Sequence, residues 1–408
     1  MNNVEEKVLD IIEKRRPQLV SLTQSLIRER SVNPPGDETG VAAVLEKELS
    51  SYGMTVEECV AAPKRVNLIS VLKGSENRHA FLFNGHMDTV SEGDHSKWTE
   101  EPFEGVVKGD LIFGRGAADM KGALAAITVG LGGLVHAGVT LHGDVIFHAV
   151  ADEEVDSIYG TRFLVGKGLA RADMGIVAEG SVNGNKITIR PAIRGNCWIR
   201  LKTYGKAAHA SNPKHGINAV LKMSKLLLAL HDLQFEADIH PVLPPATISP
   251  GTVIKGGAST NVIPDLCESE VDVRLTPGMT KEYVIGRFEN VMKTIAASDP
   301  EFRATLEVFA YVPPAELTAT SSVLSIAKKA AQVVVGYEPA FSGGFGTNDS
   351  VHLIHTARVP VIPGFGPADS ELGNAHAPDE NVSVSNLMSF AKIYALSVLY
   401  ALGYEARR

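Results

Sequence analysis

One apolar run that ends in His-Met-Asp constrains the fold more than any other stretch. Residues 80–90 read AFLFNGHMDTV, and the run begins with apolar side chains that do not alternate with polar ones. This pattern is typical of a strand covered on both faces, so it predicts a central strand of a sheet. His86 and Asp88 are two positions apart, and their side chains therefore project together from the carboxyl end, where open α/β sheets bind ligands. Taken alone, the pair also fits a chance pair on a loop.

Two later apolar runs also end in acidic residues. Residues 144–151 read DVIFHAVA and are followed by an Asp-Glu-Glu tripeptide, and residues 174–178 are followed by Glu179. Asp119 lies in a glycine-flanked loop just before an apolar helix predicted at residues 121–137. The alternation of buried strands and helices predicts an α/β fold class with a mainly parallel sheet flanked by helices.

The sequence pattern changes near Ile193. Before it, residues 4–52 are predicted to form two helices around a Pro-Pro-Gly turn. Residues 193–312 combine alternating strands with amphipathic helices, which predicts an inserted α+β unit whose antiparallel sheet is exposed on one face. The predicted division is therefore a first domain built from residues 1–192 and 313–408, with residues 193–312 as an inserted second domain.

The composition excludes several classes of partner. The net charge of −8 comes without a basic cluster, which argues against nucleic acid. We expect no membrane span, since no unbroken apolar stretch approaches the roughly 18 residues that a membrane helix needs. The charged N-terminal segment does not resemble a signal peptide, and the three cysteines lie far apart without a CxxC pair. These features predict a cytoplasmic protein with neither disulfides nor a thiolate zinc site.

Five side chains at the predicted strand ends and loops have the chemistry of a metal centre. They are two imidazoles and three carboxylates: His86, Asp119, Glu154, Glu179 and His376. This mixture suits a pair of zinc-like ions that share one carboxylate, and Asp119 is the best bridge because it is short and central. Without cations, so many carboxylates in one cleft would have raised pKa values and would repel one another.

The dipeptide Glu153-Glu154 suggests a division of labour. Consecutive side chains at a strand end diverge, so both glutamates cannot serve the same metal in the same way. We assign Glu154 as a metal ligand and Glu153 as the general base that takes a proton from water and returns it to a leaving nitrogen. The alternative is a pair of solvated glutamates that follow a strand.

Five motifs carry a resemblance to a known family. GHMDTV, GRGAADMKG, ADEE, VAEG and GNAHAPDE occur in this order along nearly the whole chain. In order and spacing they resemble the dinuclear zinc metallopeptidases that include aminoacylase, acetylornithine deacetylase, succinyl-diaminopimelate desuccinylase and glutamate carboxypeptidase. The resemblance implies two zinc ions, with cobalt or manganese as substitutes, and the ligand sets His86, Asp119 and Glu179 for one ion and Asp119, Glu154 and His376 for the other. It further implies that Asp88 orients His86 and that Glu153 is the base.

The same resemblance assigns roles outside the metal centre. The inserted segment resembles a lid domain that mediates homodimerisation, and GKAAHAS resembles the motif whose histidine, here His209, reaches the partner subunit's active site and stabilises an oxyanion. Asn261 and Arg274 resemble positions that contact substrate, as do three residues of a glycine loop: Gly343, Gly344 and Thr347. A surface histidine and a structural salt bridge are the alternatives for His209 and Arg274, and GGFGTNDS departs from the family's commonest wording, which leaves the substrate open.

Together these features predict a zinc-dependent amidohydrolase. The expected substrate is a small molecule, an N-acyl amino acid or a small peptide with a free carboxylate, cleaved by a deacetylase or desuccinylase type of reaction. Dipeptidase, carboxypeptidase or carbamoyl-amino-acid hydrolase activity on the same scaffold is the alternative. A non-catalytic binding protein is a more distant alternative, because it would be expected to lack the base or a ligand, and all are present.

Overall fold

The computed structural model describes residues 1–76, 79–235, 239–344 and 346–406. The chain forms two compact units. Unit 1 comprises Met1–Ala192, Glu316–Ser342 and Asn348–Arg408, and unit 2 comprises Ile193–Ala315 and Gly343–Thr347. The sequence pattern predicts an insertion that ends at residue 312, with the glycine loop in the first domain. The structure instead extends the insertion to Ala315 and groups the glycine loop with it.

The helices of the described residues fall mostly in unit 1. In chain order they are α1 (Asn3–Lys14), α2 (Arg16–Arg28), α3 (Thr39–Ser51), α4 (Gly122–His136), α5 (Thr161–Gly166), α6 (Ala219–His231), α7 (Lys281–Ser298), α8 (Ser322–Val335), α9 (Ser350–His352) and α10 (Val384–Leu402).

The strands are shorter and more numerous. In chain order they are β1 (Thr55–Ala62), β2 (Arg65–Leu72), β3 (Ala80–His86), β4 (Val106–Lys108), β5 (Leu111–Phe113), β6 (Val139–Leu141), β7 (Asp144–Val150), β8 (Met174–Val177), β9 (Gly180–Asn183), β10 (Lys186–Ile187), β11 (Ile189–Ile193), β12 (Gly195–Tyr204), β13 (Ala208–His209), β14 (Thr247–Gly256), β15 (Val262–Ile263), β16 (Leu266–Leu275), β17 (Arg303–Val312), β18 (Ala315–Glu316), β19 (Phe341–Gly344), β20 (Val361–Ile362), β21 (Gly366–Asp369), β22 (Asn381–Ser383) and β23 (Tyr404–Ala406).

A six-stranded sheet in the order β1-β2-β7-β3-β8-β20 forms the centre of unit 1. The strands β7, β3, β8 and β20 are parallel, whereas β2 pairs with β7 and β1 pairs with β2 in the antiparallel sense. The apolar run at residues 80–86 is the central strand that its pattern predicts. Because parallel strands end at the same edge, the segments that follow β3, β7 and β8 meet there.

Both faces of this sheet are covered. Phe81 and Phe83 belong to the large core that includes α4 and α10, while Leu82 packs on the opposite face with Val177 and Val361. Helices α4 and α10 approach closely, because a Cβ at Gly130 would lie only 2.6 Å from the carbonyl oxygen of Ala391. Helix α10 and the helical segment Ala117–His136, which ends with α4, are long and apolar enough to resemble membrane spans, but most of each is buried inside the protein. They are the core helices of unit 1.

The N-terminal segment contains three helices rather than the two that the sequence analysis predicted. Helix α1 stops at Lys14, and α2 begins at Arg16 with Pro17 in its first turn. Proline fits the first turn of a helix, where its missing N–H is not needed, so Pro17 marks a helix start inside one continuous amphipathic pattern. The helix after the Pro-Pro-Gly turn is α3, at residues 39–51.

Unit 2 is built on a four-stranded antiparallel sheet in the order β14-β16-β12-β17. Strands β12 and β16 alternate buried and more exposed residues, as expected for a sheet covered on one face. The buried side chains, such as Ile199 and Val273, pack in a separate core with Met223 of α6 and Phe288 of α7. A two-stranded ribbon of β13 and β15 completes the unit within the described residues.

Candidate metal centre and active site

Sheet register brings three of the five predicted ligands to one edge. His86 is the last residue of β3 and pairs with Val150, the last residue of β7, so the segment that carries Glu154 starts beside it. On the other side of β3, Asn84 pairs with Val177 at the end of β8, two residues before Glu179. Three chain segments, which follow His86, Val150 and Val177, therefore end next to one another, as the apolar runs predict.

The five predicted ligands form two overlapping groups. His86, Asp119 and Glu179 make one group, and Asp119, Glu154 and His376 make the other; within each group the candidate ligand atoms all lie within 4.8 Å of one another. Asp119 belongs to both. Its Oδ1 lies 2.9 Å from Nε2 of His86, and its Oδ2 lies 3.2 Å from Nε2 of His376. One carboxylate thus faces an imidazole with each oxygen, which is the arrangement that a bridging ligand requires.

The donor set fits two divalent cations of the zinc type. Nitrogen and carboxylate oxygen donors in threes, with room for a further ligand, are typical of catalytic zinc. Nδ1 of the His86 ring lies 2.9 Å from the carbonyl oxygen of Asp88, an acceptor only, so the ring donates there and Nε2 is the nitrogen that faces Asp119. Glu154 Oε2 lies 3.1 Å from Nε2 of His376 and completes the second group.

Asp88 holds more than the His86 ring. The Oδ1 atom of Asp88 lies 3.5 Å from Nδ1 of His86, whereas the carbonyl oxygen of Asp88 lies 2.9 Å from the same nitrogen. The ring is therefore oriented by the backbone of Asp88 and not, as expected, by its side chain. The carboxylate instead accepts the backbone N–H groups of Glu153 and Glu154 at 3.1 and 3.2 Å. It also accepts from Nδ2 of Asn33 at 2.8 Å. Asp88 therefore fixes the backbone of the Glu153-Glu154 pair.

A buried network of charges supports Asp88 from behind. Asn33 bridges Asp88 and Asp152, and Arg65 donates to both Asn33 and Asp152. Arg65 also pairs at 3.0 Å with Glu38, a fully buried carboxyl whose pKa burial raises to about 8. Buried charges of this kind persist where they are paired and hydrogen-bonded. The network ties the segments before β2 and after β7 to the loop after β3.

The electrostatics of the centre favour cations. Burial raises the pKa of Glu179 to about 8, with the charge of Asp119 adding to the shift, and it raises the pKa of Glu153 well above its usual value. Burial opposes ionisation of Asp119 as well, but hydrogen bonds from His376 and His86 bring its pKa below the usual range. Buried carboxylates at this density need nearby positive charge to stay ionised, and divalent cations supply it.

His376 is more exposed than the other ligands and is held in an unusual backbone conformation. Its side chain is 52% exposed, against 1% for His86, and hydrogen bonds to Asp119 and Glu154 raise its pKa to about 10. Its φ of +63° lies in the left-handed region, which side chains other than glycine rarely adopt. Strained positions of this kind cluster at functional sites.

The general base predicted from the sequence lies beside the first ligand group. Oε2 of Glu153 is 3.9 Å from Nε2 of His86, while Glu154 turns toward His376. The two consecutive side chains diverge, as expected for residues that follow a strand. Glu153 thus lies next to the candidate ligands without belonging to either group.

The predicted substrate residues lie in unit 2. His209 is exposed on β13, and its Nδ1 accepts the backbone N–H and the hydroxyl of Ser211 at 3.2 and 2.7 Å. Because a backbone N–H can only donate, neutral His209 carries its proton on Nε2. Asn261 is exposed and lies beside the residue that follows His209, since its backbone carbonyl oxygen accepts the N–H of Ala210. The structure thus gathers His209 and Asn261 in one ribbon.

Arg274 already has a partner in its own strand. Its Nε and Nη2 donate to one carboxylate oxygen of Asp272 at 3.2 and 2.9 Å, which agrees with the salt-bridge alternative and leaves Nη1 available. Arg194, a buried residue that the sequence analysis did not select, donates to Thr247 at 2.6 Å, and the nearby charge of Arg274 adds to the effect of burial in lowering its pKa. Two guanidinium groups therefore share this region.

The glycine loop has a packing role in the structure. A Cβ at Gly343 would lie 2.3 Å from the carbonyl oxygen of Val242, so no larger side chain fits. Gly344 is buried, and its carbonyl oxygen accepts the N–H of Arg194 at 3.4 Å. Thr347 is half-buried. The loop lies against the backbone beside Arg194, and its glycines permit that approach.

Comparison with models of known protein families assigns the chain to one family. The model of peptidase family M20/M25/M40 matches residues 82–400, about four fifths of the chain. The chain belongs to this family. The match confirms the resemblance drawn from the five motifs. It also covers His86, Glu179 and His376, and so reaches every segment that contributes to the centre.

Curated relatives of this M20/M25/M40 chain cover nearly its whole length. It is 28% identical over 415 residues to an N-formyl-4-amino-5-aminomethyl-2-methylpyrimidine deformylase of Halalkalibacterium halodurans, with 96% of each chain covered. It is 31% identical over 388 residues to a succinyl-diaminopimelate desuccinylase of Rhizorhabdus wittichii, with 92% of this chain and 96% of the relative covered. Both act on C–N bonds. The chain is accordingly a hydrolase of the amide type, as predicted.

Solved structures share the fold at low identity. Human carnosine dipeptidase 1 matches with a TM-score of 0.74 at 16% identity, covering 98% of both chains. A dinuclear metal binding peptidase of the M20 family from Bacillus subtilis matches with a TM-score of 0.73 at 18% identity, covering 96% of this chain and 99% of the other. These matches confirm the α/β fold class.

Sequence reasoning missed the residues that hold the ligands. Asn33, Arg65, Arg115 and Glu380 are all buried, and each bonds to a segment that carries a ligand or the base. Local pattern could not identify them, because polar residues in turns are usually solvated. For two of them the sequence does hold a signal, because Arg115 lies inside the GRGAADMKG motif and Glu380 lies inside the GNAHAPDE motif.

Proposed function

We propose that this M20/M25/M40 chain uses two zinc ions to hydrolyse the amide bond of a small N-acyl amino acid. The observation that carries the proposal is the position of Asp119, whose two oxygens face His86 and His376 separately. Glu179 and Glu154 complete the two groups. The succinyl-diaminopimelate desuccinylase relative, 31% identical over most of both chains, supports the acyl amino acid as substrate class.

The chain's own residues would divide the work as follows. When bound, the two ions supply Lewis acidity for the scissile carbonyl and acidify a water molecule. Glu153 accepts the proton of the attacking water and delivers it to the leaving nitrogen, which is general base and then general acid catalysis by one carboxylate. Asp88 keeps Glu153 in place through its backbone N–H. The amide C–N bond breaks, and the products are a carboxylate and an amine.

In this proposal unit 2 supplies recognition. His209, with its proton on Nε2, is a ready donor to the carbonyl oxygen of the substrate, where negative charge develops. Arg274 retains Nη1 for the carboxylate of the amino acid, and Arg194 adds positive charge beside it. The proposal includes a homodimer formed through the inserted unit, in keeping with the resemblance of residues 193–312 to a dimerising lid.

A second candidate substrate is a small N-formyl amine. Two pyrimidine deformylases, from Halalkalibacterium halodurans and Bacillus subtilis, are 28% and 27% identical and cover at least 94% of both chains. The substrate in their name carries an aminomethyl group rather than an amino acid. A substrate without a carboxylate needs no guanidinium to bind it, so this candidate predicts that Arg274 has little influence on substrate binding.

A substrate panel tests the proposal. Metal-free enzyme is loaded with Zn²⁺ or Co²⁺ and assayed with succinyl, acetyl, formyl and carbamoyl amino acids, with dipeptides and with an N-formyl aminomethylpyrimidine. We expect hydrolysis of an acyl amino acid that depends on two equivalents of metal. Hydrolysis of the formyl pyrimidine alone would favour the second candidate. Full activity after exhaustive chelation would refute metal-dependent hydrolysis.

A further inference from the structure

A buried glutamate joins the two loops that carry Asp119 and His376. Glu380 is fully buried, and each of its carboxylate oxygens has two donors. Oε1 accepts the backbone N–H groups of Ala118 and Asp119, both at 2.9 Å. Oε2 accepts the N–H of Gly116 at 2.9 Å and Nη1 of Arg115 at 2.5 Å. Four donors leave this carboxylate fully satisfied.

Residues of the loop before Asp119 also donate hydrogen bonds to the loop that follows His376. Arg115, with a side chain only 2% exposed, also donates Nη2 to the carbonyl oxygen of Ala377, the residue directly after His376. The carbonyl oxygen of Glu380 in turn accepts the N–H of Gly114 at 2.8 Å. The loop before Asp119 and the loop after His376 are therefore fastened to each other at three points. These contacts lie within unit 1.

We propose that Glu380 and Arg115 are positioning residues that set the spacing between Asp119 and His376, and thereby the affinity for the second metal ion. The inference rests on the proposed function, because it assumes that Asp119, Glu154 and His376 bind a metal. Asp119 is the shared ligand, and Glu380 accepts the N–H of that same residue, so a shift of Glu380 moves the bridge. His376 has no comparable anchor on a sheet strand, since it follows β21 in a loop.

The four hydrogen bonds to the side chain of Glu380 require a carboxylate at this position. An ionised carboxylate can accept four hydrogen bonds at once, whereas an amide of the same shape turns an NH₂ group toward two of the four donors. Glu380→Gln would therefore set an N–H against an N–H and push the loop away from Asp119 or from Arg115. Loss of a residue that supports a metal ligand typically weakens metal binding by about 10–100-fold.

Titration of metal-free protein with Co²⁺, followed by calorimetry, tests the inference on the full chain. The parental protein should bind two Co²⁺ ions in two resolved steps. In Glu380→Gln one of the two steps should lose about 10–100-fold in affinity, with a smaller change in the other. Arg115→Lys keeps a cation beside Glu380 but cannot also reach Ala377, so it should weaken the same step less.

A matched control separates positioning from stability. Asp299 accepts Nζ of Lys222 with both oxygens at 2.8 Å in unit 2, remote in sequence from all proposed ligands. Asp299→Asn should lower the free energy of unfolding without changing either Co²⁺ step. Parental Co²⁺ affinities in folded Glu380→Gln overturn the inference, and if that variant does not fold, parental affinities in Arg115→Lys overturn it. A parental protein that fails to bind two Co²⁺ ions would instead contradict the proposed function.

Discussion

The metal centre of unit 1 and the predicted substrate residues of unit 2 are held in different ways. Behind the metal centre, Asp88 accepts three hydrogen bonds and Glu380 accepts four, and both are fully buried. In unit 2, His209 and Asn261 are exposed, and their side chains contact serines two positions away in the sequence, Ser211 and Ser259. If the proposed roles hold, the difference means that the metal centre is shaped before substrate binds, whereas His209 and Asn261 keep freedom to adjust to a substrate.

The largest effect is expected at Glu153. Glu153→Gln should lower kcat by about 10²–10⁴-fold, because the amide cannot take a proton from water. Metal content should stay at the parental value, since Glu153 belongs to neither ligand group. Metal analysis after dialysis, together with kcat, checks both parts. A variant that turns over at the parental rate would remove Glu153 from the reaction.

His209 provides the corresponding test in unit 2. His209→Ala should lower kcat by about 10²–10³-fold, as expected for loss of one donor to a developing oxyanion, and KM should change much less. The exposed position predicts no change in the free energy of unfolding. Ser211→Ala is the milder variant, because it removes the hydroxyl donor to Nδ1 of His209 and leaves the backbone N–H donor in place, and it should lower kcat by a few-fold. Equal losses in kcat and in stability would contradict the assigned role.

Asp88 tests whether the centre is shaped in advance. Asp88→Asn keeps the size of the side chain but sets an NH₂ group among the N–H donors of Asn33, Glu153 and Glu154. We expect binding of Co²⁺ to weaken by about 10–100-fold. Since the base moves with the same backbone, kcat should fall even at saturating metal. If Asp88→Asn binds Co²⁺ more weakly but reaches the parental kcat at saturating metal, Asp88 supports metal binding and does not position the base.

His148 is the contrasting case, a buried histidine outside the centre. Burial lowers its pKa to about 4, and within the described residues neither ring nitrogen has a hydrogen-bond partner. The unfolded chain binds a proton near pH 6.5 and the folded chain only near pH 4, so this histidine destabilises the fold as the pH falls through that window, by up to about 3 kcal/mol. His148→Leu should flatten the fall of the free energy of unfolding between pH 6.5 and 4, measured with urea, while kcat at neutral pH stays within about twofold of the parent. An unchanged pH slope would contradict this account.

The sequence was sufficient for the parts of the site that follow a regular pattern. The uninterrupted apolar runs at β3, β7 and β8 identified buried parallel strands, and polar residues placed directly after such strands had to meet at one edge. His86, Glu154 and Glu179 could be predicted together for that reason. Pro17 shows the opposite case, because an amphipathic period continued through it and concealed the end of one helix and the start of the next.

The supporting residues could not be predicted from local pattern. Arg65 and Asp152 are 87 positions apart in the sequence, and Arg115 and Glu380 are 265 apart. Their burial results from the tertiary fold, which brings each charge to its partner only after both segments have packed. In the same way, the sequence marked Arg274 as a substrate contact but could not reveal that Asp272, two positions earlier on the same face of β16, already accepts two of its donors.

The insertion of unit 2 leaves the two parts of unit 1 joined without the help of the intervening chain. Strand β20 pairs with β8, and α10 packs on α4, so the late segments are built into the same sheet and core as the early ones. A protease cut inside the insertion would therefore leave both fragments associated, with His376 still opposite Asp119. The convergence of the candidate ligands therefore depends on packing within unit 1 and not on the covalent link through residues 193–315.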